Sequence, residues 1–250
     1  FVYYFLPAMR SLWVAAAMVP VLACCSNQHC RNFLWYCRWR FDLWRWTVPA
    51  VEAGADGVRH HVLVLGSSVA AGDGAESPAP GGPGWAEHLG RAVAARGMKV
   101  HNRAIGFTAT GLWQRLVADQ VGAERLGKFS VVIMSLSLGN EGLPLSADPD
   151  HISSVEARFL TGLRAIARGL RAKMAPGARL VLGGPYPNDH YQEIHVPALR
   201  RAYKEMRSWE EVDYVADFLQ PSIHDGSGRW VEGTRRDFAH PNQVGHVAMF

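Results

Sequence analysis

The chain alternates short apolar runs with longer segments of helical rhythm. Val62 to Leu65 is continuously apolar between His60-His61 and Gly66, which suits a strand buried on both faces of a parallel sheet. Pro83 to Gly97 then sets Trp85, Leu89, Val93 and Ala94 at helical spacing and closes on glycine, a common helix stop. Met98 to Ala104 reads as a second strand, Gly111 to Leu126 as helical, and Phe129 to Leu136 as a third, buried strand. From Ile152 the apolar positions Val155, Phe159, Leu163, Ile166, Leu170 and Met174 keep the three-and-four rhythm of an amphipathic helix. Five Arg or Lys interleave between 158 and 173 and are expected on a solvated face. Arg179 to Gly183 predicts a fourth strand, Pro197 to Trp209 another helix, and Val212 to Ala216 a fifth strand. Strict strand and helix alternation of this kind predicts a doubly wound α/β sheet.

Ligands of open α/β sheets bind beyond the carboxyl ends of strands, so the residues that follow each apolar run carry the candidate chemistry. The first run ends in Gly66-Ser67-Ser68. A serine there is placed for nucleophilic attack, and equally for capping a helix, since Ser is a favoured N-cap. A phosphate cradle fits poorly, because neither G-x-x-x-x-G-K-[ST] nor G-x-G-x-x-G is present. Near the C-terminus stands Asp237-Phe238-Ala239-His240-Pro241. Proline restricts the residue before it to extended backbone, and an acid three residues ahead of a histidine is within reach of its Nδ1-H. Such a pairing sets the tautomer and leaves Nε2 as a base. Read by itself, the pair is equally a capped polar turn.

With these residues in view, the chain resembles the SGNH or GDSL-type esterases and acyl hydrolases, through four separated blocks in the family's order. Gly66-Ser67-Ser68 resembles the Gly-Asp-Ser block, which implies Ser68 as nucleophile and its backbone N–H as an oxyanion donor. Asn102-Arg103-Ala104-Ile105-Gly106 resembles the second block and implies the N–H of Gly106 as a second donor. Leu138-Gly139-Asn140-Glu141 resembles Gly-x-Asn-Asp and implies the Asn140 side-chain amide as the third. Asp237 to His240 matches Asp-x-x-His, implying acid and base. The resemblance spans roughly residues 60 to 250. It implies a flavodoxin-like three-layer α/β/α sandwich with a five-stranded parallel sheet, and serine-dependent hydrolysis of a carboxylic ester through an acyl-enzyme. Its substrate would be a small-molecule, lipid or carbohydrate ester, and neither a cofactor nor a metal is required. Three departures stand beside it. Ser67 replaces the usual Asp, so choosing Ser68 over Ser67 follows the motif register. Spacing in the second block is slightly short, which leaves its glycine on Gly106 or one residue away. Leu138 and Glu141 replace Gly and Asp. Two alternatives stay open: deacetylation of a carbohydrate or acyl transfer by the same residues, and, because of Ser67, Leu138 and Glu141, a binding domain without catalysis.

The remaining polar residues read more plainly. His246 has no acid beside it and is expected to be structural, while His60 and His61 precede the first strand at its far end. The histidines show no H-E-x-x-H or comparable ligand spacing. Tyr186 to Val196, after Gly183-Gly184-Pro185, is either a pocket wall or an ordinary surface loop. Ala75 to Gly84 is rich in Pro and Gly and is expected to be flexible.

A chain of 250 residues accommodates one hydrolase-like domain over 59–250 after an extension over 1–58. Most of the net charge of +4 comes from the first 60 residues, where six Arg oppose three acids, so nothing suggests a nucleic-acid surface on the folded part. The extension opens on Phe1, as expected of a processed chain or a fragment, and Met9 offers a start. Leu12 to Cys25 is an uncharged apolar run of signal-peptide length, which predicts export to a secreted, periplasmic or membrane-tethered location. Val21-Leu22-Ala23-Cys24 loosely resembles a lipoprotein cleavage site. All four cysteines, Cys24, Cys25, Cys30 and Cys37, lie in this extension without a C-x-x-C pair, so the hydrolase-like part needs no disulfide and zinc is not expected. Phe33, Trp35, Tyr36, Trp39, Phe41, Trp44 and Trp46 interleave with Arg31, Arg38, Arg40 and Arg45, a mixture that suits membrane-surface contact or a linker. The terminal helix is expected to run beyond Phe250. Oligomeric state has no signature in the sequence.

Overall fold

The computed structural model describes residues 46–52, 58–75 and 83–250. The expectations for the signal-like run, the cysteines and nearly all of the Trp-Arg stretch therefore lie outside the described residues, as does most of the Pro/Gly-rich segment after Ala75. Thr47–Phe250 forms one compact unit. Its start is tied down before the first strand: Val48 is fully buried, its carbonyl accepts from Arg125 Nη1 at 2.9 Å, and that of Thr47 from Arg103 Nε at 3.1 Å.

Five strands, β1 His60–Gly66, β2 Met98–Asn102, β3 Val131–Ser135, β4 Arg179–Gly183 and β5 Tyr214–Ala216, form one sheet in the order β2-β1-β3-β4-β5. Every pairing is parallel. This is the three-layer, flavodoxin-like arrangement expected for the chain, with its strand order reversing beside β1. The apolar runs explain the strands: Val62, Leu63, Val64 and Leu65 are all buried, as are Val132 and Met134, because helices cover both faces.

Seven α-helices accompany the sheet among the described residues: α1 Ser68–Ala71, α2 Trp85–Ala94, α3 Thr110–Asp119, α4 Ala123–Leu126, α5 Pro149–Arg171, α6 Val196–Arg207 and α7 Gln243–Met249. The segment expected to be one helix over Gly111 to Leu126 is two. Its backbone breaks at Gln120 to Gly122, where the amides of both Gln120 and Val121 turn back to the Leu116 carbonyl, and helical spacing on either side hides that break. One layer packs Trp85, Ala86 and Met249 on Val62, Val64 and Ile133. On the other face α5 lies between α3 and α6.

Helix α5 runs 23 residues because its ends are well specified. Asp148 caps it, accepting from Asp150 N at 2.9 Å, and Pro149 fills the first turn, where no N–H is needed. Ile152, Val155, Phe159, Leu163, Ile166 and Leu170 form its buried stripe. Its cations are not merely a solvated face. Arg164 and Arg168 reach Glu211 at 3.4 and 2.6 Å, Arg171 pairs with Asp213, and Lys173 Nζ donates to the carbonyls of Val117 and Ala118. They tie α5 to α3 and to the strand-five region. Their acidic partners lie far away in sequence, which is why periodicity assigns them to solvent.

At the end of β1, Gly66 has a φ of +147°. A Cβ there would stand 2.1 Å from the Ser135 carbonyl oxygen on β3, and backbone cannot move aside as a flexible side chain can. Gly66→Ala is expected to destabilise the domain by about 3 kcal/mol or more, to be read as a lowered midpoint in urea denaturation.

Candidate active site

Four chain segments meet at the carboxyl edge of the sheet. Ser67 and Ser68 follow β1 directly, with Ser68 opening α1. Ser67 is fully buried and Ser68 nearly so. Ser67 Oγ lies 3.1 Å from Tyr186 Oη, a hydrogen bond within the core, and burial pushes the Tyr186 phenol up to about 12. The Ser67 hydroxyl is therefore engaged within the core. Tyr186 itself sits after β4, where a pocket wall or surface loop was expected; it is buried structure instead.

The second loop is fastened to the first. Asn102 Nδ2 donates to the Ala70 carbonyl at 2.8 Å, Ile105 N to Gly66 O at 2.9 Å, and Thr108 Oγ1 to Gly66 O at 3.3 Å. At Gly106 a Cβ would stand 3.9 Å from Ser68 Cβ and 3.2 Å from Asp73 Oδ2, so the glycine opens space beside the serine. The left-handed backbone of this loop falls one residue on, at Phe107, with φ +60°. That conformation ordinarily favours glycine. The short spacing of this block thus has a structural form: room is made at 106 and the turn at 107.

Asn140 follows β3. Its Nδ2 donates to Thr108 O at 2.9 Å, which anchors the side chain beside the Gly106 loop and leaves a second N–H for a ligand. Glu141, in the place of the family's Asp, accepts from Thr110 N at 2.6 Å and so satisfies the first amide of α3, whose N-cap Ala109 has no capping side chain.

His240 Nδ1 donates to both carboxylate oxygens of Asp237 at 3.0 Å each. Asp237 Oδ1 also accepts from Ala239 N and His240 N at 2.8 and 2.9 Å. Burial works against this charge, but the bonds from His240 and Ala239 prevail and hold the carboxyl below its ordinary value. The tautomer with Nε2 as the basic nitrogen follows. The supporting loop is held from the strand-four side: Asp189 N donates to Phe238 O at 2.7 Å, Asp189 pairs with Arg235, and His190 stacks on Phe238 at 4.1 Å.

The histidine loop meets the serine turn through Gly74. Its φ is +95°, and a Cβ there would lie 2.1 Å from Pro241 O and 3.1 Å from His240 Cβ. His246 fastens the same junction. Its Nδ1 accepts from Trp85 N at 3.3 Å and its Nε2 donates to Asp73 O at 3.1 Å. Ser68, Gly106, Asn140, Asp237 and His240 are thus all carried on loops of one rim, whereas His60 and His61 stand at the start of β1. Asp73, a half-buried acid next to Ser68, has no counterpart among the expected site residues, since no motif marks it. Among the described residues no three His, Cys, Asp or Glu side chains gather as metal ligands.

A parallel three-layer sheet with serine, asparagine, acid and histidine on these loops defines an SGNH-type α/β hydrolase. The family model described as GDSL-like lipase/acylhydrolase matches residues 64–248, and the chain belongs to that family. Among solved structures it resembles the lipase Lip_vut3 from a goat rumen metagenome at 16% identity, covering 76% of this chain and 93% of that one with a TM-score of 0.58. It also resembles TesA at 21% identity, 76% and 93% coverage and a TM-score of 0.55. The third is Axe2, an acetylxylan esterase from Geobacillus stearothermophilus, at 14% identity, 77% and 91% coverage and a TM-score of 0.54. At these identities the likeness shows the fold. No curated protein matches the sequence at significance.

Burial pushes the His246 imidazole down to about 4. A histidine whose folded pKa lies below its unfolded value of about 6.5 costs stability only on the acid side, because the unfolded chain takes the proton first. Stability is expected to fall as pH drops from about 6.5 towards 4, by up to about 3 kcal/mol from this group. Urea titrations across that range should show a shallower slope in His246→Gln than in the wild type; equal slopes would remove the assignment.

Proposed function

We propose that the protein hydrolyses carboxylic esters through an acyl-enzyme on Ser68. The observation that carries this reading is the bidentate Asp237 contact to His240 Nδ1 at 3.0 Å, on a loop packed against the serine turn. In this reading His240 Nε2 removes the Ser68 Oγ proton as the oxygen attacks the ester carbonyl, and Asp237 stabilises the imidazolium. The imidazolium then gives its proton to the departing alcohol. Water, deprotonated by the same nitrogen, attacks the acyl-serine; the acid leaves and Ser68 regains its proton. The N–H groups of Ser68 and Gly106 and the second Nδ2 hydrogen of Asn140 are the donors assigned to the oxyanion, acting where charge develops. A lipase and an acetylxylan esterase among the structural relatives support an ester bond as the target without choosing its alcohol.

A fluorophosphonate probe tests nucleophile and activity together. Wild type and Ser67→Ala should be labelled and Ser68→Ala should not; labelling of Ser68→Ala, or of none of the three, sinks the proposal. Ser67→Ala loses the Tyr186 bond and should react with unchanged stoichiometry. Asn140→Ala is expected to lower kcat on 4-nitrophenyl acetate by a few hundred-fold, since one oxyanion donor is typically worth roughly 3 kcal/mol of barrier. Its circular dichroism should match the wild type, and unchanged turnover would remove Asn140 from the oxyanion site.

A further inference from the structure

Asp73 is a carboxylate beside the candidate site that the proposed chemistry does not use. Gly72 ends α1 in a left-handed conformation, φ +95°, and turns the chain so that Asp73 N donates to Ser68 O at 3.0 Å. Its carbonyl accepts from His246 Nε2 at 3.1 Å. Backbone bonds on both sides therefore fix where the side chain starts. Oδ2 ends 3.2 Å from the point where a Cβ of Gly106 would stand, and Ser68 Cβ lies 3.9 Å from that same point. The acid and the serine are neighbours across the space that the glycine leaves open.

Three charged groups act on this acid: His240 and Arg236 favour its ionised form, Asp237 opposes it, and burial outweighs them all in raising its pKa. None of the proposed catalytic steps requires it. Asp237 already occupies His240 Nδ1 with both oxygens, and an ionised carboxylate beside the attacked carbonyl opposes the developing oxyanion. A half-buried carboxylate in such a place is instead a strong acceptor for a donor carried by the substrate. The group delivered next to Ser68 in every productive complex is the ester, which has no donor of its own, so a donor must come from an O–H or N–H group on its alcohol or acyl part, and a hydroxyl is the neutral one common to polyol alcohols.

Resting on the esterase reading, we infer that Asp73 accepts a hydrogen bond from a hydroxyl on the alcohol side of the substrate and makes the site selective for polyol esters over plain alkyl esters. A site built to bond a substrate hydroxyl discriminates strongly against the analogue lacking it, because its own polar group is then left unpaired.

The test compares glycerol monoacetate with propyl acetate, which has the same carbon skeleton without the free hydroxyls, and uses 4-nitrophenyl acetate to report ester cleavage as such. The wild type is expected to favour glycerol monoacetate by roughly tenfold or more in kcat/KM. Asp73→Ala should bring that ratio to near one. Asp73→Asn, of the same shape but a weaker acceptor, should give an intermediate ratio and serves if the alanine variant folds poorly. A wild-type ratio near one, or a ratio that both variants leave unchanged, overturns the role of Asp73 while leaving the esterase reading intact. Acetylcholine as a fourth ester guards the chemistry: a greater loss on it than on glycerol monoacetate in the variants would mean that Asp73 selects an ammonium, and would overturn the hydroxyl assignment. If the wild type cleaves none of the esters, the esterase reading itself falls, and this inference with it.

Discussion

The close approach of the serine turn to the histidine loop is the constraint on which the candidate site depends. Chain positions some 170 residues apart must meet with backbone against backbone, and at Gly74 there is no room for a side chain before the Pro241 carbonyl. His246 completes the junction by bonding Trp85 N on one side and Asp73 O on the other. A buried neutral imidazole suits this task, since it offers one acceptor and one donor in opposite directions. Its burial is also what makes the junction sensitive to acid. The helix bearing it, α7, covers the same face of the sheet as α2, so packing and hydrogen bonding hold the two halves of the site in one register.

Apart from Leu138, each departure from the family's blocks has a local physical account. Ser67 turns its hydroxyl into the core towards Tyr186, and a neutral pair there avoids burying a carboxylate. Phe107 adopts the left-handed turn beside the opened space at Gly106. Glu141 uses its longer side chain to reach the first amide of α3. The altered residues thus support the serine turn, the second loop and the start of α3.

The five strands and the order of the blocks were legible because both are local. Apolar runs such as Val62 to Leu65 and Val131 to Met134 declare burial on two faces by themselves, and Asp237 with His240 stand one turn apart, close enough for their contact to follow from spacing. Other features needed partners from distant segments. Helical periodicity continues across Gln120 to Gly122, so the end of α3 was hidden. The cations of α5 looked solvated because Glu211 and Asp213 arrive from beyond another helix and strand. Tyr186 looked like a loop residue because its partner, Ser67, follows the first strand.

Sequence alone determined the alternating α/β architecture, the carboxyl-edge serines and the reach of Asp237 to His240, since apolar periodicity and short-range spacing act within a few residues. Tertiary structure decided which serine is tied into the core, where the left-handed turn of the second loop falls, and that Asp73 stands beside Ser68. The first depends on the β1-β3-β4 pairing, which brings Tyr186 under Ser67, and the last on the left-handed turn at Gly72 that folds Asp73 back on Ser68. Sequence spacing carries no measure of such distances.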